Sequence, residues 1–494
     1  MICRSALALR PWRRLLAALA PLAACALPAP KAPPPPLAGT ISLASSADML
    51  VGEDAGDAAG WSVAGAGDVN GDGRGDVLVG AWQADDRGCI GAGAAYLVTG
   101  PVSGVQSLAD ATATLRGEAD DTYVGAAVGA AGDLDGDGAS DLLAGGPGLQ
   151  EELSTTTWAY AQGVAAVLWG PVSGELVLQD SDALLVGENA YALAGDAVAG
   201  VGDTDGDGWG DLLIGAPGDG GVDGSGPGMA HLVAGPVSGT LHLTTDGAAS
   251  WTGAAARDGL GAAAAAAGDL NGDGLGDLAF GSEGADLSAA DAGAAYLVWG
   301  PAAGAHVADD ADLIWITASA GSAVGSALAS AGDTDGDGLA ELLVGGRGDA
   351  TAGSAAGTVW LVGGDAGGVH LLGGAIASLT GTTAHDEAGS AVAGAGDVDQ
   401  DGTPDVLVGG HRASEGAALA GAAWLVYGPL SGARSLSSAD ATLLGSCEGD
   451  DVGCAVALGD VDGDGAPDLL LGASAVDQSG DAAGAAYLLL GGAG

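Results

Sequence analysis

The chain has 494 residues, of which 64 are Asp or Glu and 12 are Lys or Arg, giving a formal net charge of −52. A surface this acidic repels phosphate, which excludes nucleic acid as a partner. The 48% hydrophobic content is ample for a core and excludes disorder, and the 95 glycines lack the three-residue period of a collagen-like rod.

The N-terminus reads as a targeting segment. Arg4, Arg10, Arg13 and Arg14 precede an apolar run over residues 15–20, too short to span a bilayer and charged in front as an export signal is. The run leads to Leu22-Ala23-Ala24-Cys25, which resembles a bacterial lipobox, with Cys25 as the lipidated residue; cleavage nearby with free secretion is the other reading. Residues 1–25 are therefore expected to be a lipoprotein-type signal, and residues 26–37 a Pro-rich linker, stiff and extended. Ala26 is not the Asp-type inner-membrane retention signal, which favours an outer-membrane or cell-surface location with a lipid anchor in the membrane.

From residue 38 onward one pattern recurs seven times: an Ala/Gly-rich run, an acidic loop, then an apolar run. Oxygen-bearing side chains occupy loop positions 1, 3, 5 and 9. They are Asp68, Asn70, Asp72 and Asp76 in the first loop and Asp133, Asp135, Asp137 and Asp141 in the second. Asp203, Asp205, Asp207 and Asp211 form the third, and Asp269, Asn271, Asp273 and Asp277 the fourth. The last three hold Asp333, Asp335, Asp337 and Glu341; Asp397, Asp399, Asp401 and Asp405; and Asp460, Asp462, Asp464 and Asp468. Position 6 is always glycine, and position 4 is glycine except at Gln400. This alternation folds a loop around a hard cation, with the position-7 carbonyls of Arg74, Ala139, Trp209, Leu275, Leu339, Thr403 and Ala466 as natural further ligands. All the donors are oxygens, which suits Ca2+ rather than zinc, up to seven ions in all. The loop lacks the position-12 Glu and flanking helices of an EF-hand, so it is expected to join two strands. Arg74-Gly75-Asp76 spells an adhesion tripeptide, but Asp76 belongs to the loop.

Successive loops start 63 to 70 residues apart. A period this long suits one four-stranded blade per repeat. In the first unit the strands are read at Ala64-Gly65-Ala66, Val77 to Val79, Ala94 to Val98 and Ala113-Thr114-Leu115. The chain ends on a third strand, Ala486 to Leu490, with no fourth after it. It opens, past the linker, on Ile41 to Val51, which resembles a fourth strand without its first three. The expected fold is all-β: a seven-bladed β-propeller over residues 38–494, its last blade completed by the N-terminal strand. Trp169, Trp299, Trp360 and Trp424 fall in third strands as packing residues. Cys447 and Cys454 are close enough in sequence for a small disulfide, with two buried thiols as the alternative.

The repeat resembles the FG-GAP repeat of the integrin alpha-subunit propeller, and the resemblance covers nearly all of residues 38–494. Gly215-Ala216-Pro217 keeps the Gly-Ala-Pro element. The Phe-Gly element keeps its glycine at Gly60, Gly125, Gly195, Gly261, Gly325 and Gly389, eight residues before each loop, and at Gly453, seven before the last. The resemblance implies structural metal loops on one face and partner binding on the other, through the variable connections. The longest of these, residues 146–163, carries Trp158 and Tyr160, which either stack on a sugar, anchor a protein or pack the loop on its own blade.

The leading functional expectation is a non-catalytic, calcium-stabilised adhesion or binding module on a bacterial cell envelope, recognising protein or polysaccharide. An architectural subunit of a surface assembly is the alternative, and a propeller-type lyase or hydrolase a weaker one. The six histidines form no metal-binding pair at helical spacing, and most clustered carboxylates belong to the loops.

Overall fold

Second and third strands such as Asp76–Ala81 and Ala94–Val98 are buried along their whole length. This is why they read as unbroken apolar runs rather than alternating ones: each sheet is covered by a neighbour on both faces. The computed structural model describes residues 36–45, 48–86, 88–154, 157–159, 161–221, 223–364, 367–477 and 480–492. The signal and nearly all of the linker, Cys25 included, lie outside them. Leu37, placed in the linker by its sequence, packs on the core, and its carbonyl accepts a hydrogen bond from Tyr427 Oη at 2.8 Å.

Seven sheets repeat one antiparallel order. In blade 1 the strands are Ala59–Gly67 (innermost), Asp76–Ala81, Ala94–Val98 and Ala113–Arg116. The inner strands of blades 2 to 7 are Ala127–Gly132, Ala197–Gly202, Ala263–Gly268, Val324–Gly332, Ala391–Gly396 and Val452–Gly459. Small residues here let seven strands converge on one axis. Gly60 shows how tightly: its φ is +82°, and a Cβ there would lie 2.1 Å from the Ala485 carbonyl of blade 7. Gly125 repeats the contact against Ala94 of blade 1, so the Phe-Gly glycine is the point where one blade seats on the previous one.

The blades have a fifth strand that the sequence reading did not anticipate. Gly174–Val177, which follows the third strand of blade 2, pairs parallel with Ala113–Arg116 of blade 1. Each blade thus lends a short strand to the edge of its predecessor, then turns through a helical turn whose first residue is buried, as at Leu108, Leu178 and Leu436. The N-terminus makes two closures instead of one. Gly39–Ser42 pairs parallel with Ala441–Leu444 of blade 6, and Asp48–Val51 pairs antiparallel with Ala485–Leu489 as the fourth strand of blade 7. Arg116 latches the seam: it donates to Glu53 at 2.8 Å and to Glu175 at 3.0 Å while lying over the Tyr96 ring.

Blade 7, one residue short between Gly453 and Asp460, has a simple physical account. In blades 1 to 6 the register slips just before the loop, as between Gly65 and Gly67, leaving one bulged residue such as Ala66. In blade 7 Leu458 and Gly459 pair in unbroken register with Leu469 and Asp468. The missing residue is the bulge, and Gly453 keeps the blade-to-blade contact: a Cβ there would lie 2.4 Å from the Ala422 carbonyl. Among the tryptophans, Trp360 and Trp424 lie in third strands, whereas Trp169 and Trp299 fall one residue past theirs.

Removing residues 1–51 leaves Ala485–Leu489 an unpaired edge and strips a strand from blade 6. The expected outcome is a lower melting temperature with concentration-dependent aggregation, measured by calorimetry and light scattering.

Candidate metal centres and the opposite face

The antiparallel hairpin of the first two strands fixes two faces. Gly67 pairs with Asp76 at the loop end, and Ala59 pairs with Ala81 at the other. In the loop of blade 2, Asp133 Oδ1 accepts from the N–H groups of Gly136 (2.7 Å) and Asp137 (3.1 Å), and its Oδ2 accepts from Gly138 (3.0 Å). Asp135 Oδ1 accepts from Asp137, and Asp137 Oδ1 from Ala139. These bonds curl the backbone around its own carboxylates, Asp133 engaging the chain through both oxygens and Asp135 and Asp137 each through one. The tight path needs a left-handed residue at position 6, where Gly138 has φ +94° and Gly402 +95°.

Position 9 behaves differently. Asp141 is fully buried; its Oδ2 accepts from Leu134 at 2.6 Å and its Oδ1 from Gly170 at 2.8 Å. Asp76, Asp211, Asp277, Asp405 and Asp468 make the same pair of bonds, to the second loop residue and to the glycine that follows the third strand. Glu341 instead takes both the N–H and the hydroxyl of Thr334 on one oxygen. Burial, which outweighs the two N–H donors, pushes Asp277 up to about 6 and Asp405 and Asp468 up to about 7, and nearby loop acids push the same way. Burial of Asp76, with both its oxygens engaged, removes Arg74-Gly75-Asp76 as an adhesive tripeptide; the Gly75 N–H is also committed, to the Asp460 carbonyl of blade 7 at 2.6 Å.

In five loops, those starting at Asp133, Asp203, Asp333, Asp397 and Asp460, three or more carboxylates offer oxygens lying within 4.8 Å of one another; all four do so in the Asp333 loop, while Asp137, Asp207, Asp401 and Asp468 stand outside the groups of theirs. Two oxygens held by one calcium at ~2.3–2.6 Å can be at most about 5 Å apart, so the spacing and the all-oxygen chemistry fit this ion. Position 3 in the other two loops is Asn70 or Asn271, a neutral oxygen donor. Gln400 occupies a left-handed position (φ 59°) that glycine fills in the other loops. Gln400→Gly is expected to raise stability by about 0.5–1 kcal/mol, less than the full left-handed penalty because glycine also loosens the unfolded chain; chemical denaturation in calcium tests this.

The opposite face is built from the turns that enter the inner strands. Asp57 Oδ2 accepts from the Asp54 N–H (2.9 Å), and Asp258, Asp386 and Asp450 cap the equivalent turns. The Asp450 cap also explains why no disulfide forms. It holds the N–H of Cys447 on the exposed side of the turn, while Cys454 lies beyond it on the inner strand, its Sγ 3.3 Å from the Gly60 carbonyl. Both are free thiols, and burial pushes Cys454 up to about 11. Chiefly through burial, the Asp57 carboxyl is pushed up to about 6. The folded state therefore binds this proton more tightly than the unfolded one, so stability falls as pH rises from about 4 to 6 and stays lowered above. Asp57→Asn keeps the cap without the charge. It is expected to gain about 1–2 kcal/mol at pH 7.5 and nothing at pH 4, read from melts across pH.

In the connection at 146–163, Glu151–Ser154 and Thr157–Ala159 form a small hairpin that includes Trp158; Tyr160 lies outside the described residues. Beside the ends of this connection, at Gln150 and Ala161, opens a cavity of about 400 Å³ between blades 1, 2 and 3. Trp61, Trp82, Tyr123 and Tyr191 line it, aromatic residues that the sequence reading had passed over. Aligning the repeats on the Phe-Gly glycine is the signal that would have found them, because Trp61 follows Gly60 directly.

Fold and loops together define a seven-bladed β-propeller bearing an acidic strand-to-strand loop in every blade. Residues 59–98, 261–298 and 453–489 match the FG-GAP repeat, one repeat in each of blades 1, 4 and 7 of the propeller. No curated protein matches the chain. Two crystal structures of BBS1N in complex with ARL6DN, one soaked with lead and one with mercury, align over 90% of this chain and 97% of theirs. Identity is 11% in each, with TM-scores of 0.43 and 0.44. The FG-GAP propeller is typically a non-enzymatic binding fold.

Proposed function

We propose that the protein is a non-catalytic, calcium-stabilised binding module displayed on a bacterial cell envelope, which holds a protein or polysaccharide partner on the face opposite its acidic loops. The observation that carries this reading is the division of labour between the two faces. One face repeats seven nearly identical oxygen clusters, and the other varies from blade to blade. Envelope display rests on the export signal and on Cys25 as the lipidated residue.

The loop side chains at positions 1, 3, 5 and 9 would hold the calcium, with the position-7 carbonyls as further ligands. The ion supplies charge neutralisation to carboxylates that otherwise repel one another. Sites of this type in extracellular modules bind at roughly 0.1–1 mM, so calcium at a few times that level adds about 1 kcal/mol per site. Chelation with EDTA is accordingly expected to lower the melting temperature by many degrees, and an unchanged melt would remove calcium from the proposal. The binding role is tested by immobilising the protein in calcium and probing it with envelope proteins and a polysaccharide panel. The comparison is a variant shortened within residues 146–163. Capture that needs calcium and is lost in the shortened, still folded variant supports the reading; capture by neither protein defeats it.

A further inference from the structure

The cavity between blades 1, 2 and 3 is not required by the fold. The position of Trp61 is taken in the other blades by Ala126, Asp196, Ala262, Ser326, Ser390 and Cys454. The position of Trp82, just past the second strand, is taken by Pro147, Pro217, Glu283, Arg347, His411 and Ser474. Blades that close equally well with alanine, serine or charged residues show that packing alone does not call for two tryptophans. The backbone makes the same point. Each entering turn has two left-handed positions; at the one four residues before the Phe-Gly glycine, Gly56, Gly321 and Gly449 meet the need at little cost where blade 3 places Tyr191 (φ 61°), and Tyr123 (φ 60°) holds the position two residues before it in blade 2.

The aromatic rings form a bent wall. Trp61 and Trp82 have centroids 5.1 Å apart with planes tilted by 45°, and Trp82 and Tyr123 are 5.1 Å apart at 60°. Trp61 remains 45% exposed, its indole open to the cavity side. Trp82 Nε1 is buried without a hydrogen-bond partner among the described residues, as are those of Trp169, Trp315 and Trp424. Two carboxylates, Asp121 and Asp196, also line the cavity, and among the described residues no basic side chain does. Asp121 accepts from Tyr123 Oη at 2.9 Å. Beyond Asp196, Arg347 is committed to Glu283 at 2.7 Å. Asp196 is exposed, and the Glu283 charge pushes its carboxyl in the upward direction; no basic partner stands beside it in the cavity among the described residues.

Aromatic faces set at angles, beside uncompensated carboxylates on a protein of net charge −52, select for a cation that is weakly hydrated and apolar on its outside. A flat sugar ring asks instead for one broad parallel platform. We propose that this cavity binds a small quaternary ammonium solute, with its methyl groups against Trp61, Trp82 and Tyr123 and its charge beside Asp121 and Asp196. The proposal deepens the binding-module reading and rests on it for the choice of face.

The test is titration of the calcium-loaded protein with choline, followed by tryptophan fluorescence and calorimetry. The parallel titrant is 3,3-dimethylbutan-1-ol, the neutral isostere. Choline is expected to saturate and the isostere to bind at least tenfold more weakly. Trp61→Ala is expected to weaken choline tenfold or more, Trp61→Phe to restore part of the loss, and Asp196→Asn to weaken it several-fold, all at an unchanged melting temperature. Equal binding of choline and isostere, indifference to Trp61→Ala, or displacement by a neutral disaccharide each overturns the proposal. Those results leave the macromolecular capture assay untouched, so the two readings fail separately.

Discussion

The buried carboxylate at the ninth loop position is the constraint on which each blade depends. Through two oxygens, Asp141 ties the start of its loop to the glycine that ends the third strand, and so fastens three strands at one point. A carboxylate with no exposure is an expensive group, and burial raises its proton affinity against the pull of its own N–H donors. Three further acids or amides stand around it in the same loop. The free energy of this arrangement is dominated by charge that the protein concentrates but cannot itself neutralise, since 12 basic residues serve 64 acidic ones. A divalent cation bound in the loop would resolve that imbalance locally, and on the proposed reading the loops and the net charge are one feature rather than two.

Much of this was legible before any coordinates. The loops, their oxygen alternation and their period follow from residue identity alone, because a nine-residue turn that must curl around its own carboxylates admits glycine at position 6 and little else. The closure by the N-terminal chain was legible from an unmatched third strand at the end. Several features were not. The lent fifth strands, such as Gly239–His242, are three or four residues long and mostly exposed, so they carry no hydrophobic period. Only the buried residue after each one marks them, a leucine except at Ala308, and a single spaced leucine is a weak signal. The cysteines 447 and 454 were close in sequence, but a capped turn separates them, and proximity along a chain says nothing about which side of a turn a thiol occupies.

The aromatic cavity was hidden for another reason. Its residues come from turns of three successive blades, and each looks ordinary in its own repeat. What distinguishes them is the comparison of equivalent positions around the ring, where blades 4 to 6 place Glu283, Arg347 and His411 in the place of Trp82. A repeated scaffold makes such a comparison informative, because six copies show what the position needs for folding alone. One half of this face is aromatic and acidic, while the other carries paired ions such as Arg347 with Glu283 and Arg412 with Glu387.

The double closure at the N-terminus has a kinetic consequence. Gly39 pairs with Ala441 and Met49 with Tyr487, contacts that join residues 39–51 to the last blades across some 400 positions. Loop-closure entropy for such contacts must be met before they return any stabilisation, so they belong late in folding. The strands that seal the ring are made before every blade they close, and they wait, unpaired, for residues 441–489 to be made. Blades 1 to 5 can form in order as they are made; the ring closes only once those residues are present.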